Sequence, residues 1–331
     1  MAHNATIYDV SRMAGVSTAT VSRTYYEPGK VKEATRQRVY EAAKALHYFP
    51  NAIARAMVRQ RTDKIAYLIC KQGATILDEF YAGICDEVMR RTNLSDCQLL
   101  VSTASDWHTL GETAQSKQIE GVILAGNAPP ELITELQWQN VAIVMVNNQV
   151  AGLDIPCIVS DERGAVRQVL EHLIDRGHRH IALVLGRFNP YITDQRYSAF
   201  TELMQEFGLP VQQTDVATCD ANVESAAQAA LRLLDLSERP TAIVAMNDMI
   251  AAGVIKAARR KGLRLPEDLA VTGMDDSSVC TMIEPELTSA HIDCRKMGEL
   301  CVERLMALLD GKTDVPRLTV VPTKLVVRRS S

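Results

Sequence analysis

No run of 18 apolar residues occurs in the 331-residue chain, and the opening MAHNATIYDV has no apolar centre of the signal-peptide kind. The first absence excludes a membrane-spanning helix of ordinary length, and the second leads us to expect a cytoplasmic protein with no membrane partner. None of the eight cysteines (positions 70, 85, 97, 157, 219, 280, 294 and 301) stand in a C-x-x-C pair, and most fall within apolar runs such as IAYLIC and IPCIVS. In a cytosolic chain they read as small buried hydrophobes rather than disulfides or zinc ligands. G-x-S-x-G is missing. The GKT at 311–313 is no phosphate loop, because Met306 stands where its first glycine is required. His178 and His180 have no third ligand at metal spacing and read as a helix cap and a strand opening. No catalytic residue, metal or cofactor is therefore expected, and the chain does not read as an enzyme.

What remains is an ordinary globular composition, 47% hydrophobic and 23% charged. The length implies two or three domains. The net charge of −4 hides a division. Residues 1–62 hold ten Lys/Arg against four Asp/Glu, and the rest hold 26 against 36. A basic head on an acidic body points the head towards a polyanion.

Within that head, TIYDVSRMAGVSTATVSR (6–23) packs two short helical periods around one glycine. Thr6 suits a cap with its hydroxyl on a free amide, and Asp9 lies in the first turn. Ile7, Val10, Met13 and Ala14 recur at helical spacing and predict one buried face. Gly15 takes the left-handed stop, Val16 plugs the turn, and Ser17 caps a second helix. Two helices joined by a short Gly-containing turn make a helix-turn-helix, whose second helix reads base edges in the major groove. Thr18, Ala19 and Ser22 face the groove in this reading, with Arg23 at the far end and Val21 turned inward. Hydroxyls and a methyl suit single hydrogen bonds and thymine contacts, and Arg suits guanine or phosphate. A third helix from about Lys32 to Leu46 supplies Ala34, Val39, Ala42, Ala43 and Leu46 to a three-helix core. Pro50 and Asn51 then open a short segment flanked by Arg55, Arg59 and Arg61, which is marginal as a helix unless something holds it.

Together with TRQRVYEAAKALHYFPNAIARAM, this stretch resembles the DNA-binding head and hinge of the lactose/galactose repressor (LacI/GalR) family. The resemblance implies that Thr18 and Ala19 occupy the main base-reading positions. It makes Ser17, Thr20, Ser22, Arg23 and Asn51 base or phosphate contacts, and adds Thr6, Tyr8 and Ala54 to the DNA-binding set. A hinge helix would pair with its dimer mate in the minor groove, with Met57 where the family places an apolar wedge. Tyr25 and Tyr26 depart from the family pattern and suit either packing of the helix end or a backbone contact.

From Lys64 onward, apolar runs (IAYLIC, QLLVS, GVILAG, VAIVMV, CIVS, HIALVLG, TAIVAM, LAVTGM and LTVVPTKLVV) alternate with amphipathic stretches. That alternation predicts parallel sheets covered on both faces, in two lobes, with a ligand site at the carboxyl ends of the strands. The same family resemblance extends along essentially the whole chain. It implies an α/β fold in which a helix-turn-helix head (1–49) and a hinge helix and linker (50–62) precede a two-lobed, periplasmic-binding-protein-like effector and dimerisation domain (63–331). It places Asn147, Arg196, Asn247 and Asp275 on effector-contacting positions, and Phe80 and Tyr81 in a loop supplying an aromatic wall. Asn247 and Asp248 could instead cap the following helix, and Arg196 and Asp275 could serve as a salt bridge. Ala199, Ile292 and Ala221 depart from the family's cleft pattern, so the ligand should differ from those of its best-known members. Arg187 and Arg196 suit an acidic or phosphorylated sugar, while Phe80, Tyr81 and Tyr191 suit stacking on a sugar or base face.

The expected function is a sequence-specific transcriptional regulator, in the repressor sense, of a carbon-source operon. Its partners are a pseudo-palindromic double-stranded DNA operator, a second copy of the chain in a homodimer, and a sugar-like effector. Inducer and co-repressor senses are both open. The competing reading is a solute-binding protein without DNA function, and the basic helical head argues against it.

Overall fold

The computed structural model describes residues 5–48, 62–70, 79–94, 97–103, 119–150, 152–187, 189–209, 211–220 and 222–331. Asn51, Ala54 and Met57, with nearly all of the expected hinge, lie outside the described residues, as does Ala221. The chain divides into two units, Met1–Asp63 and Lys64–Ser331.

The first unit is built of helices α1 (Ile7–Ala14), α2 (Thr18–Tyr26) and α3 (Glu33–Ala45). Thr6 opens α1 as its N-cap in a reciprocal box with Asp9: its hydroxyl donates to Asp9 Oδ2 at 2.7 Å, and its own N–H donates to the same oxygen at 2.9 Å. Gly15 ends the helix at φ 63°, a left-handed conformation that an L side chain adopts only under strain. Val10, Ala14, Val21, Val39, Ala42 and Ala43 form the core, with Ile7, Val16, Tyr25 and Leu46 packed around it. Each buried valine contributes roughly 1.5–3 kcal/mol. Two assignments fail. Met13 is 56% exposed and Ala34 is also exposed, because three short helices leave those sides of α1 and α3 without a neighbour to cover them.

In the second unit, six parallel strands run in the order β11-β5-β4-β3-β1-β2, and six more in the order β12-β10-β9-β8-β6-β7. The first sheet comprises β1 (Lys64–Cys70), β2 (Gln98–Thr103), β3 (Gly121–Gly126), β4 (Ala142–Val146), β5 (Cys157–Ser160) and β11 (Leu318–Val321). The second comprises β6 (Ile181–Gly186), β7 (Val216–Cys219), β8 (Ala242–Ala245), β9 (Ala270–Asp275), β10 (Thr288–Ile292) and β12 (Thr323–Val326), with β12 alone antiparallel. Burial on both faces explains the near-continuous apolar strands. In β1, Ile65, Tyr67 and Ile69 face α4 (Glu79–Leu94) and α11 (Cys294–Leu309), while Ala66 and Leu68 face α5 (Pro130–Trp138). Helices α6 (Glu162–Asp175), α7 (Pro190–Glu206), α8 (Val223–Leu234) and α9 (Asp248–Arg260) cover the second sheet, with the short α10 (Val279–Met282) after β9.

The single run LTVVPTKLVV proves to be two strands in different sheets. Pro322 cannot donate to a ladder, so β11 stops beside β5 and the chain crosses to pair β12 with β10. The chain thus passes between lobes three times, after β5, β10 and β11. Six of the eight cysteines are buried, and all eight are free thiols. Burial pushes Cys70 up to about 12 and Cys157 to about 11, so neither is a ready nucleophile.

One carboxylate ties α4 to α11. Glu87 accepts from Arg90 Nε at 2.7 Å and Arg91 Nε at 2.8 Å, with Arg295 Nε at 3.5 Å. Donation by Arg90 is the largest influence and, with Arg91 and Arg295, outweighs burial to hold Glu87 at about 2, below its ordinary 4.5. A depressed carboxylate adds stability above its unfolded value and loses it as pH falls through the folded one. The difference in thermal midpoint between the natural chain and Glu87→Gln should therefore be full at neutral pH. It should shrink as pH falls from 4.5 towards about 2.

Candidate DNA-contacting face and effector cleft

On α2, Ser17 Oγ accepts from Thr20 N at 3.1 Å and lies 2.9 Å from Thr20 Oγ1, an N-cap closed by the residue three positions on. Val21 and Thr24 are fully buried, and Thr24 Oγ1 donates back to Thr20 O at 2.8 Å. With 21 and 24 inward, helical spacing turns Thr18, Ala19, Ser22 and Arg23 away from the core. Ala19 and Arg23 are exposed, and Thr18 and Ser22 half-buried. Tyr8 on α1 is 68% exposed. Tyr25 packs the end of the helix, its ring edge-on to Tyr40 at 5.5 Å and 74°. The Tyr26 side chain lies outside the described residues.

In the second unit, the residues assigned to the cleft meet where strands of both sheets end. Arg196 on α7 is 4% exposed. Its Nε donates to Glu162 Oε2 at 2.5 Å, its Nη1 to Met246 O, and its Nη2 to Asp275 Oδ1 at 3.5 Å. Ser160 Oγ donates to the other oxygen of Glu162. Burial alone would lower the Arg196 pKa, but the Glu162 and Asp275 carboxylates outweigh it, so the guanidinium stays charged. Two carboxylates thus face one cation. Burial, then the Glu162 charge, raises the pKa of the Tyr191 phenol on the same helix as Arg196.

Across the cleft, Asn147 is 6% exposed and left-handed at φ 57°. Its Nδ2 donates to Tyr81 Oη at 3.1 Å, and its carbonyl accepts from Asn189 Nδ2 at 3.0 Å. Asn189 also caps α7 through Ile192 N, so the helix bearing Arg196 is anchored to the opposite lobe. Tyr81 is 3% exposed and belongs to the first lobe's core. Its hydroxyl reaches Asn147 and lies beneath Gly126, where an added Cβ would be 2.8 Å from that oxygen. Phe80 is half-buried, its ring edge-on to Tyr81 at 5.2 Å. A second bridge joins the lobes at the rim, where Ser278 N and Oγ donate to the two carboxylate oxygens of Glu79 at 2.7 and 2.8 Å.

Asn247 caps α9, its Oδ1 accepting from Ile250 N at 2.8 Å. Asp248 is buried beneath it and accepts from Ser277 and Ser289. The capping alternative therefore describes the Asn247 oxygen, whereas Asp248 ties the start of α9 to Ser277 and Ser289 instead of capping a helix amide. Arg187 is exposed and donates to Thr218 Oγ1 at 3.1 Å. Ala199 and Ile292 are buried, and Ile292 joins the first lobe's core although β10 lies in the second sheet. His178 and His180 pair with Thr241 and Asp215, and among the described residues no group of three His, Cys, Asp or Glu could hold a metal. Glu162, Asn189, Glu79 and Ser278 were not among the expected site residues. Asn-Pro at 189–190 is an N-cap signal, and Glu162 follows the CIVS strand end directly.

The family model for bacterial regulatory proteins of the lacI family matches residues 6–51, and that for periplasmic binding protein-like domains matches residues 170–331. Over 335 residues the chain is 30% identical to catabolite control protein A of Priestia megaterium, with 99% of each chain covered. The chain belongs to the lacI family of bacterial regulatory proteins. Among solved structures, the complex of the transcriptional regulator CelR with cellobiose is 29% identical to this LacI-family chain at a TM-score of 0.76, covering 99% of it and 100% of CelR. The Lac repressor dimer bound to operator and the anti-inducer ONPF shares the fold, with a TM-score of 0.86 at 24% identity and 99% of each chain covered. This LacI-family protein is thus a DNA-binding transcriptional regulator rather than an enzyme. Among its described residues no helix is long and apolar enough to cross a membrane.

Proposed function

We propose that this LacI-family regulator represses an operon for a carbon source. A homodimer would bind a pseudo-palindromic operator through its heads (1–49), ordered by hinges (50–62), and an effector in the cleft of 63–331 would set operator affinity. Thr18 and Ala19 would read bases. Thr6, Tyr8, Ser17, Thr20, Ser22 and Arg23, with Asn51, Ala54 and Met57 from the hinge, would complete the contact set. The observation that carries the reading is the Arg196 network. A charged guanidinium stands between Glu162 and Asp275, on a helix whose cap reaches Asn147 in the other lobe.

Its charge balance also narrows the ligand. With two carboxylates around Arg196, the centre is net negative and disfavours the phosphorylated or acidic sugars that Arg196 and Arg187 suggest in the sequence. A neutral polyhydroxy ligand can instead donate to Asp275 and accept from Arg196, with Asn147 and Asn247 alongside and Phe80 and Tyr191 as apolar walls. The bound cellobiose of the related CelR is of that class. Calorimetric titration of the full chain with neutral sugars and their phosphates tests this, and preference for the phosphates would overturn it. A gel shift with and without the sugar that binds separates inducer from co-repressor, because the sugar changes operator affinity by the same factor as the operator changes sugar affinity.

The rim bridge should contribute to that affinity. Ser278→Ala removes one of two hydrogen bonds to an exposed Glu79 carboxylate, so the sugar should bind about three- to tenfold more weakly by calorimetry. An unchanged affinity would mean that the bridge plays no part in closing the cleft.

A further inference from the structure

Away from the cleft, the second lobe carries a groove of about 1020 Å³ between α7 and the edge strand β7. Its origin is topological. β7 lies at the end of its sheet, and Ala217 and Cys219 point into the core under α8. The opposite face of the strand is not covered, leaving Val216 half-buried and Thr218 exposed. Leu185, Val216, Leu209 and Val211 make an apolar floor, and the stripe Thr193, Tyr197, Thr201 and Gln205 along α7 makes one wall. Gln213 stands on the far rim, and Asp194 brings the one formal charge among the described lining residues. Thr193 and Thr201 already donate to backbone carbonyls. The side chains of Tyr197, Gln205, Gln213 and Asp194 have no hydrogen-bond partner among the described residues, and the Tyr197 residue is 43% exposed.

We propose that this groove is a second small-molecule site, distinct from the effector cleft, for an uncharged mono- or disaccharide. A phenol beside an apolar floor suits the C–H face of a sugar ring. Two primary amides and one carboxylate offer donors and acceptors to its hydroxyls; the one formal charge of the described lining is negative and the adjacent Arg187 guanidinium is engaged with Thr218 Oγ1 at 3.1 Å, so the groove disfavours a phosphate or carboxylate. The volume is at the upper end of ordinary ligand sites. Residue 197 follows Arg196 on the same helix, so a sugar held against Tyr197 would bias the position of the guanidinium in the cleft. The groove assignment does not depend on the cleft reading, and the test separates the two.

Hydrogen–deuterium exchange of the full chain with glucose, galactose, maltose and cellobiose in the millimolar range is the test, with glucose 6-phosphate as an anionic control. At least one neutral sugar should slow exchange in 211–218, a segment that holds no cleft residue, and the phosphate should not. In Tyr197→Ala/Gln205→Ala, two solvent-facing changes whose folding a thermal melt checks, that slowing should weaken at least about tenfold in concentration dependence. Slowing around Asn147 and Asp275 should persist. Protection confined to the cleft segments, protection at 211–218 that survives the double change, or equal protection by the phosphate would each overturn the proposal.

Discussion

Arg196→Ala should destabilise the Lys64–Ser331 unit by about 3–5 kcal/mol and abolish binding of any cleft ligand. The size follows from what is left behind. Glu162 is 5% exposed and its partner 4%, so removing the guanidinium strands a buried carboxylate whose nearest cation was 2.5 Å away. It also leaves Asp275 without this ion pair and Met246 O without its donor. Thermal unfolding reads the first effect and calorimetry the second. A compensating set, Arg196→Met with Glu162→Gln and Asp275→Asn, separates structure from recognition. Removing all three charges together should restore most of the stability, because no unpaired charge remains. Ligand affinity should stay at least about a hundredfold down, since the polar groups that match the sugar are gone. Binding that survives in the compensated chain would show that the ligand site lies elsewhere.

Ala19→Glu should lower operator affinity at least about a hundredfold without unfolding the head, because it puts a carboxylate against a polyanion and removes a methyl contact. Ala19 is exposed and contributes nothing to the core of Val10, Val21 and Val39, so helical circular dichroism should be unchanged. Val21→Asp is the contrasting change: it loses binding together with the fold. Anisotropy titrations on labelled duplex distinguish them, and an Ala19→Glu chain that still binds the operator normally would remove α2 as the reading helix.

Legibility followed the range of the forces involved. Gly15, Ser17 and Val21 were readable because a left-handed stop, a cap and a heptad-like period act within a few residues. Met13 and Ala34 were misread because periodicity gives the angle at which a side chain leaves a helix, not whether a neighbour lies there. β7 and β10 were missed for lack of β-branched runs. β10 instead buries Thr288 and Ser289, satisfied by Arg328 N and Asp248. The split of β11 from β12 depends on a crossing between lobes that no local pattern encodes. In the cleft, the ion pair of Arg196 with Asp275 was legible as the salt-bridge alternative. Glu162 was not, because its importance arises only when α6 and α7 pack together and bring residues 34 positions apart to hydrogen-bonding distance.

The central claim is that a helix-turn-helix reads a two-fold DNA site under control of a ligand cleft. The most direct test is selection of genomic fragments by the full chain at low ionic strength, followed by anisotropy titration on the best fragment with and without neutral sugars. The expected result is saturable binding to a pseudo-palindromic duplex, weakening steeply as salt rises and shifted by at least one sugar but not in Arg196→Met/Glu162→Gln/Asp275→Asn. Failure to retain any duplex, or binding with no two-fold sequence in the retained fragments, would contradict it.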